Sequence, residues 1–218
     1  MMQRIDRDGL SSSTTIILSA KHGQSPIDPT LLRRVDDGAI IDALDAAWAS
    51  THPGAAPLVS FAVDDDAMLL WLSDRSPAAL TFAKQYLLTH SAPANTINDA
   101  KGVYSTSVAG SGLTSVYTGA SARALLGAPV GDSHAPDLFG IAQHGVVYTG
   151  GVKKIAEHGG AANDDRNVAL VVSGGGVHPG VKSAAVQTTQ IAPTILRLLG
   201  LNPNALRAVR AEHTRVLP

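Results

Sequence analysis

Short branched apolar runs that lead into glycine-containing loops constrain the fold of this chain more than any other sequence feature. They occupy residues 14–20, 146–149 and 168–173. Runs of this length, rich in β-branched residues and bounded by turn-forming residues, are typical of buried strands. We predict that all three belong to one α/β sheet sandwiched by helices. The chain from 27 to 135 then interrupts this sheet as an insertion.

The first half of the insertion carries helix and hairpin signals. Apolar residues at helical spacing predict an amphipathic helix within 29–50, and the carboxylates of Asp36 and Asp37 favour a helix N-terminus there. Two apolar runs joined by the acidic turn 64–66 predict a β-hairpin. A Ser-Pro pair at 76–77 has the order of cap and first helical residue, which predicts a second helix.

The second half of the insertion, residues 91–135, is rich in Gly, Ser, Ala and Pro and has only a weak helix signal near 119–127. The predicted domain organisation is therefore discontinuous. Residues 1–26 form the first part of an α/β core, 27–135 form an α+β insertion, and 136–218 form the second part of the core.

The segment VQTTQIAPTILRLLGL predicts a closing helix that packs on the sheet. Thr188 or Thr189 is the expected cap, and Gly200 is the expected stop signal. The apolar residues at helical spacing predict a buried face that consists of Ile191, Ile195, Leu198 and Leu199.

Composition excludes several classes of function. The net charge is -1, without a basic cluster, and aromatic residues make up 4% of the 218 residues. These features argue against nucleic acid and anionic membranes as partners. The chain has no cysteine, so a metal would need His, Asp or Glu as ligands. We find no signal peptide and no run long enough to span a bilayer, so the localisation remains open.

Histidine is followed by glycine beside two of the predicted strands, in KHG at 21–23 and in EHGG at 157–160. Glycine allows close approach of the backbone, and histidine at a strand end can bind metal or transfer protons near neutral pH. Either motif taken alone is more often a turn with a hydrogen-bonded histidine. Their surroundings make a functional interpretation stronger.

Three segments together, TTIILSAKHGQSP, KIAEHGGAANDDRNVALVVSG and VQTTQIAPTILRLLGLNP, resemble the C-terminal half of the alkaline phosphatase superfamily. The resemblance is to its type I phosphodiesterase/nucleotide pyrophosphatase branch and covers residues 10–26 and 137–218. It implies a metal-dependent phosphoester hydrolase that uses zinc. The insertion matches this family only as a variable region.

Carried over by position, the resemblance implies that His22 binds the second zinc and His158 the first. Lys21 stands where the family has an aspartate ligand. Because an ammonium replaces a carboxylate beside a dication, we expect a partial or absent metal site in this chain. Lys21 could instead contact phosphate as a point charge, or be a solvated lysine at a strand end.

The family's nucleophilic threonine or serine and several of its metal ligands precede the strand that matches residues 14–20. The expected function is therefore that of a C-terminal fragment, inactive alone, whose partners are a phosphoester small molecule and the missing N-terminal half. The alternative is a non-catalytic binding or assembly module on the same fold, with a homo-oligomer as partner. A metal-free acid/base enzyme built on Lys21 and His22 is a third, minor hypothesis.

Other polar residues have weaker claims to a role. Asp164 and Asp165 follow His158 and could orient its ring or join a metal site, although an acidic pair before a strand is usually a solvated turn. Ser25 and the capping threonines lack a base at identifiable spacing, so we do not expect them to be nucleophiles. We expect surface or loop-stabilising roles for the remaining loop histidines, which are His134, His144 and His178.

Overall fold

The computed structural model describes residues 1–97 and 103–218, and the chain forms two compact units. The terminal unit combines Met1–Lys21 with Val168–Pro218, and the central unit is His22–Asn167. Residues 98–102, which belong to the predicted insertion, lie outside the described residues. The domain organisation predicted from the sequence stays a prediction.

Strands and helices are interspersed along the described residues. The strands are β1 (Thr15–Leu18), β2 (Arg33–Val35), β3 (Val59–Asp64), β4 (Ala67–Leu72), β5 (Ala92–Asn95), β6 (Thr106–Val108), β7 (Leu113–Thr118), β8 (Leu138–Ala142), β9 (Val146–Tyr148) and β10 (Val171–Gly174). The helices are α1 (Met2–Arg7), α2 (Asp37–Thr51), α3 (Pro77–Thr89), α4 (Ala120–Leu126), α5 (Asn163–Arg166), α6 (Ile191–Leu198) and α7 (Arg207–Glu212).

The central unit contains two four-stranded sheets, with helices packed against them. One sheet has the order β3-β4-β8-β7 with antiparallel neighbours, and α2 and α3 pack on it. The other has the order β6-β5-β2-β9 and is mixed, since β2 pairs parallel with β9. The predicted α/β class, with sheets flanked by helices, is confirmed.

Helix α2 begins where the acidic pair predicted a helix N-terminus. Asp36 is the N-cap, and its Oδ1 accepts a hydrogen bond from the Ala39 N–H at 3.4 Å. The sequence predicted that the helix could begin as early as residue 29, but this part of the prediction is wrong. The chain before α2 forms a 3₁₀ turn at Pro29–Leu31 and then β2. Helix α2 contributes one buried stripe at helical spacing to the core, namely Ile40, Leu44 and Trp48.

Helix α3 begins at the predicted Ser-Pro pair. The Ser76 Oγ accepts a hydrogen bond from the Ala79 N–H at 3.2 Å, and Pro77 occupies the first turn, where no N–H is needed. Buried residues recur every four positions at Ala79, Ala83 and Leu87. Together with the stripe of α2 they cover one face of the antiparallel sheet, which forms the main core of the unit.

The predicted hairpin is confirmed as β3 and β4, which pair antiparallel from Val59↔Leu72 to Asp64↔Met68. Met68, Leu70 and Leu72 alternate along β4 and are all buried. This period of two places one face of the strand in the core. The acidic turn of the hairpin is thereby fixed at the end of a rigid sheet.

The prediction that three runs share one sheet is wrong in part. β1 and β10 do pair, in antiparallel fashion, as a two-stranded sheet of the terminal unit. β9 instead pairs with β2 in the central unit. The physical reason is that β2, a short strand hidden in the predicted helix 29–50, supplies β9 with its backbone hydrogen-bond partners.

The strands of the terminal unit are less buried than their apolar composition predicts. Leu18 and Val171 are cross-strand partners and are 64% and 51% exposed. A sheet of two strands leaves both outer edges and much of each face uncovered. β1 and β10 are therefore half-buried to exposed rather than core strands.

Helix α6 is present, but two predicted details are wrong. Gln187, not Thr188 or Thr189, caps the 3₁₀ turn that precedes the helix, and its N–H donates to the Gln190 side chain. The predicted apolar face is largely exposed, because α6 packs mainly against short 3₁₀ turns. The exposed fractions are 43% for Ile195, 52% for Leu198 and 67% for Leu199. Gly200 ends the helix region with a φ of 71°, as predicted.

In the part of the chain that the structure describes, no helix combines the length and the apolar character needed to cross a bilayer.

Candidate functional site

The candidate site lies in the central unit, where three chain segments meet. They are residues 22–25, the three aspartates 64–66 at the end of β3 and in the hairpin turn, and the segment 154–165, which follows β9 and runs into α5. Ser25 and Glu157 exchange two backbone hydrogen bonds, with lengths of 2.8 Å and 2.9 Å. This bridge aligns the two segments that carry the His-Gly motifs.

Two further backbone hydrogen bonds complete the junction. The Gly23 N–H donates to the Asp165 carbonyl at 2.7 Å, and the Asp66 N–H donates to the His158 carbonyl at 3.3 Å. A Cβ on Gly23 would lie 1.7 Å from the Asp164 carbonyl oxygen. Glycine is therefore required at position 23, because the other segment's backbone occupies the space of a side chain.

The structure brings together the two histidines that the sequence singled out. The rings of His22 and His158 stack with their centroids 4.1 Å apart and their planes inclined by 28°. The His22 Nδ1 lies 2.8 Å from the Gly23 carbonyl oxygen. A proton on Nδ1 satisfies that oxygen and leaves the lone pair of Nε2 free for a metal.

A potential metal-ligand set includes one of these histidines. Asp65, Glu157 and His158 each offer one ligand atom, and these atoms lie within 4.8 Å of one another. All three residues are half-buried. Two carboxylate oxygens and one imidazole nitrogen form a donor set that suits zinc. We call these residues the DEH cluster.

Lys154 neutralises part of the charge of the DEH cluster. Its Nζ lies 2.9 Å from the Asp65 Oδ1 and 3.1 Å from the Glu157 Oε1. Partial burial lowers the pKa of Lys154. Hydrogen bonds from its ammonium to the two carboxylates together have the larger opposite effect, so the pKa is raised above its ordinary value. The ammonium group therefore already pairs with both carboxylates of the cluster. Its side chain is 37% exposed, which leaves it room to move away.

A second polar group, more deeply buried than the DEH cluster, lies on the same three segments. The Ser25 hydroxyl donates to the Asp66 Oδ2 at 2.8 Å and lies 3.3 Å from the Asp165 Oδ2. Burial raises the pKa of Asp66 to about 7, the Ser25 hydroxyl opposes this rise, and the neighbouring Asp165 carboxylate adds to it. We call these three residues the SDD group.

Asp64, the first residue of the acidic turn, faces a different environment. Its Oδ1 accepts the Leu69 N–H at 3.2 Å, and its Oδ2 is buried without a partner among the described residues. Burial, with a smaller contribution from the charge of Asp37, raises the pKa of Asp64 to about 7. The three consecutive aspartates thus have three distinct roles.

Two other residues predicted from the sequence, Asp164 and Lys21, belong to neither the DEH cluster nor the SDD group. The Asp164 carboxylate accepts the Ile27 N–H at 3.0 Å and pairs with His144 at 2.9 Å. Both contacts lower the pKa of Asp164, and the hydrogen bond from Ile27 has the larger effect. Lys21 is exposed at the end of the first segment of the terminal unit, and its contact with phosphate stays a prediction.

Sequence reasoning missed Asp65, Asp66 and Glu157 as site residues. The signal for the first two was three aspartates in succession between apolar strands, which we interpreted only as a hairpin turn. Glu157 directly precedes His158. Of the other loop histidines, His134 and His178 are exposed, as expected.

Comparison with known proteins identifies the fold. No family model and no curated protein matches the chain. Among solved structures, it is similar to human ectonucleotide pyrophosphatase/phosphodiesterase 5, with 12% identity, a TM-score of 0.56, and coverage of 92% of this chain and 44% of that one. It is also similar to the alkaline phosphatase PafA, with 14% identity, a TM-score of 0.57, and coverage of 92% and 38%.

The chain therefore has an alkaline-phosphatase-like fold, which confirms the fold that the sequence resemblance implied. It spans less than half the length of either structure. At these identities the likeness concerns the fold, and the chemistry has to be argued from the site itself.

Proposed function

We propose that this chain is the metal-ligating C-terminal part of a metal-dependent phosphoester hydrolase of the phosphodiesterase/nucleotide pyrophosphatase type. The observation that carries the proposal is the stacking of His22 on His158 beside two carboxylates. These residues come from sequence segments far apart, and the fold collects them in one place. Such convergence of imidazole and carboxylate groups is typical of catalytic metal sites.

Zinc fits the residues of this site. His158, Asp65 and Glu157 would hold one ion, and the free Nε2 of His22 would face the same region. Zinc bound there supplies a Lewis acid for the phosphoryl oxygen and lowers the pKa of a bound water. The ammonium of Lys154 has to leave the two carboxylates for this binding to occur.

The chain's other residues would bind and orient rather than attack. Lys21, exposed and cationic, is suited to contact a substrate phosphate. Ser25 is 4% exposed and its hydroxyl faces carboxylates, so it is closed to substrate. The proposal therefore assigns the nucleophile to an upstream half, in accord with coverage of only 44% and 38% of the two similar structures.

A complementation assay tests this function. The chain alone, and a longer chain that includes the upstream half, are assayed for hydrolysis of bis(p-nitrophenyl) phosphate with zinc and after chelation. We expect activity only from the longer chain with zinc, and its loss in His158→Ala. His178→Ala, which removes an exposed histidine elsewhere, is the matched control and should keep activity. A longer chain that hydrolyses no phosphoester, or does so after chelation, contradicts the proposal.

A second candidate function is a non-catalytic assembly module. It is favoured by the terminal unit, where the cross-strand pair Leu18 and Val171 is exposed on a sheet with free edges. Such a surface suits the missing half of the fold or another copy of the chain. Sedimentation at micromolar concentration, together with binding of an apolar dye, tests this. A clean monomer that binds no dye would count against it.

A further inference from the structure

We propose that the SDD group, formed by Ser25, Asp66 and Asp165, is a buried binding site for a hard divalent cation, Ca²⁺ or Mg²⁺. This site is separate from the DEH cluster, since the two share no residue. It also stands apart from the proposed hydrolase function, because a structural cation needs no substrate and no upstream half.

The first argument is charge. Asp66 is 2% exposed and Asp165 is 5% exposed. None of the ion pairs formed by residues 1–97 and 103–218 involves either carboxylate. Two buried carboxylates without a cation are costly, since each loses its hydration and each repels the other. A bound cation removes both costs.

The second argument is the count of donors and acceptors. The one proton of the Ser25 hydroxyl goes to the Asp66 Oδ2 at 2.8 Å. The Asp165 Oδ2 accepts only a long bond, 3.3 Å, from the Ala162 N–H in addition to its contact with Ser25. The Oδ1 atoms of both aspartates are buried and have no partner in the described part of the chain. Buried oxygens of this kind usually face an ion or an ordered water.

The third argument is the nature of the ligands. The SDD group offers two carboxylates and a hydroxyl, so all its donor atoms are oxygens. Oxygen-only sets select Ca²⁺ and Mg²⁺, whereas imidazole in the DEH cluster suits zinc. The two neighbouring sites therefore differ in the cation they prefer.

The location suggests what the cation would do. Asp66 adjoins Asp65 of the DEH cluster, and Ser25 and Asp165 lie on the segments that carry His22 and His158. A cation shared by the SDD group would tie the three segments together. It would thereby hold the candidate zinc ligands in position without contacting substrate.

The experiment is a cation titration of the full chain after chelation, followed by thermal unfolding. We expect millimolar Ca²⁺ or Mg²⁺ to raise the melting temperature in a saturable way, as linkage requires for a cation that binds the folded state. Asp66→Asn and Asp165→Asn should remove the response, because each replaces a carboxylate by a neutral group of similar shape. Asp42→Asn, which removes an exposed carboxylate on α2 that belongs to neither group, should keep it.

Equilibrium dialysis of the wild-type chain against Ca²⁺ gives a second reading that needs no variant, and one ion per chain is expected. The proposal is overturned if neither cation binds or raises the melting temperature, or if Asp66→Asn and Asp165→Asn respond like the wild type. It is also overturned if Asp66→Asn raises the melting temperature while neither cation changes that of the wild type. That result would mean that the two carboxyl groups share a proton instead of a cation. Failure of zinc-dependent hydrolysis leaves this result untouched.

Discussion

Replacement of Lys154 by methionine should strengthen zinc binding to the DEH cluster. Lys154 contacts Asp65 at 2.9 Å and Glu157 at 3.1 Å, so a metal that uses these carboxylates must displace it. Methionine keeps the apolar stem and its packing but removes the ammonium. The two carboxylates are then left without their internal cation, and the cluster gains affinity for an external one.

The size of the expected gain in zinc affinity follows from how exposed the three charged side chains are. The side chains of Lys154 and Asp65 are 37% and 34% exposed, and that of Glu157 is 18% exposed, so solvent screens both contacts. Partly exposed ion pairs contribute about 0.2–1 kcal/mol each, so the two contacts together are worth roughly 0.4–2 kcal/mol. We therefore expect zinc affinity to rise by about 2- to 30-fold.

The assay is calorimetric titration of zinc into the purified chain at constant pH. Lys153→Met is the matched control, because Lys153 is an exposed neighbour and its replacement changes the net charge equally. His158→Ala, which removes the imidazole ligand, should abolish the binding in either background. These variants separate direct competition from a general change in electrostatic potential.

Two results would refute this reasoning. Equal zinc affinity in Lys154→Met and Lys153→Met would mean that the ammonium does not compete with the metal. Zinc binding that survives His158→Ala would mean that the ion binds elsewhere.

Three further changes should affect stability. Leu44→Ala at a fully buried position should lower the free energy of unfolding by about 2–5 kcal/mol in urea denaturation. Ser76→Ala should lower it by about 0.5–2 kcal/mol through loss of the α3 cap, measured in the same way. Gly23→Ala should lower the melting temperature in calorimetry, because its Cβ would collide with the Asp164 carbonyl, whereas Gly180→Ala in open space should not.

Local hydrogen bonding explains why much of the secondary structure was predictable. Asp36 and Ser76 cap helices by bonding to an N–H three residues later, so the signal lies in one short window of sequence. The hairpin of β3 and β4 likewise joins two apolar runs through a two-residue turn. Such features depend little on the rest of the chain.

Strand pairing and burial were not predictable in this way. β9 pairs with β2, a strand more than a hundred residues earlier that is only three residues long. The apolar face of α6 looks like a core face in sequence, yet Leu199 is 67% exposed. Burial depends on what else covers the helix, and periodicity alone does not report this.

The sequence by itself determined the fold class, the capped helices and the two histidines of the candidate site, because each depends on residues close together or on a motif. Only the tertiary structure decided that Asp65 and Glu157 join His158, that Lys154 neutralises them, and that Asp66 is buried. A carboxylate in a turn is solvated unless distant segments close over it. Its charge, its partners and its affinity for a cation are therefore set by contacts that lie outside its own stretch of sequence.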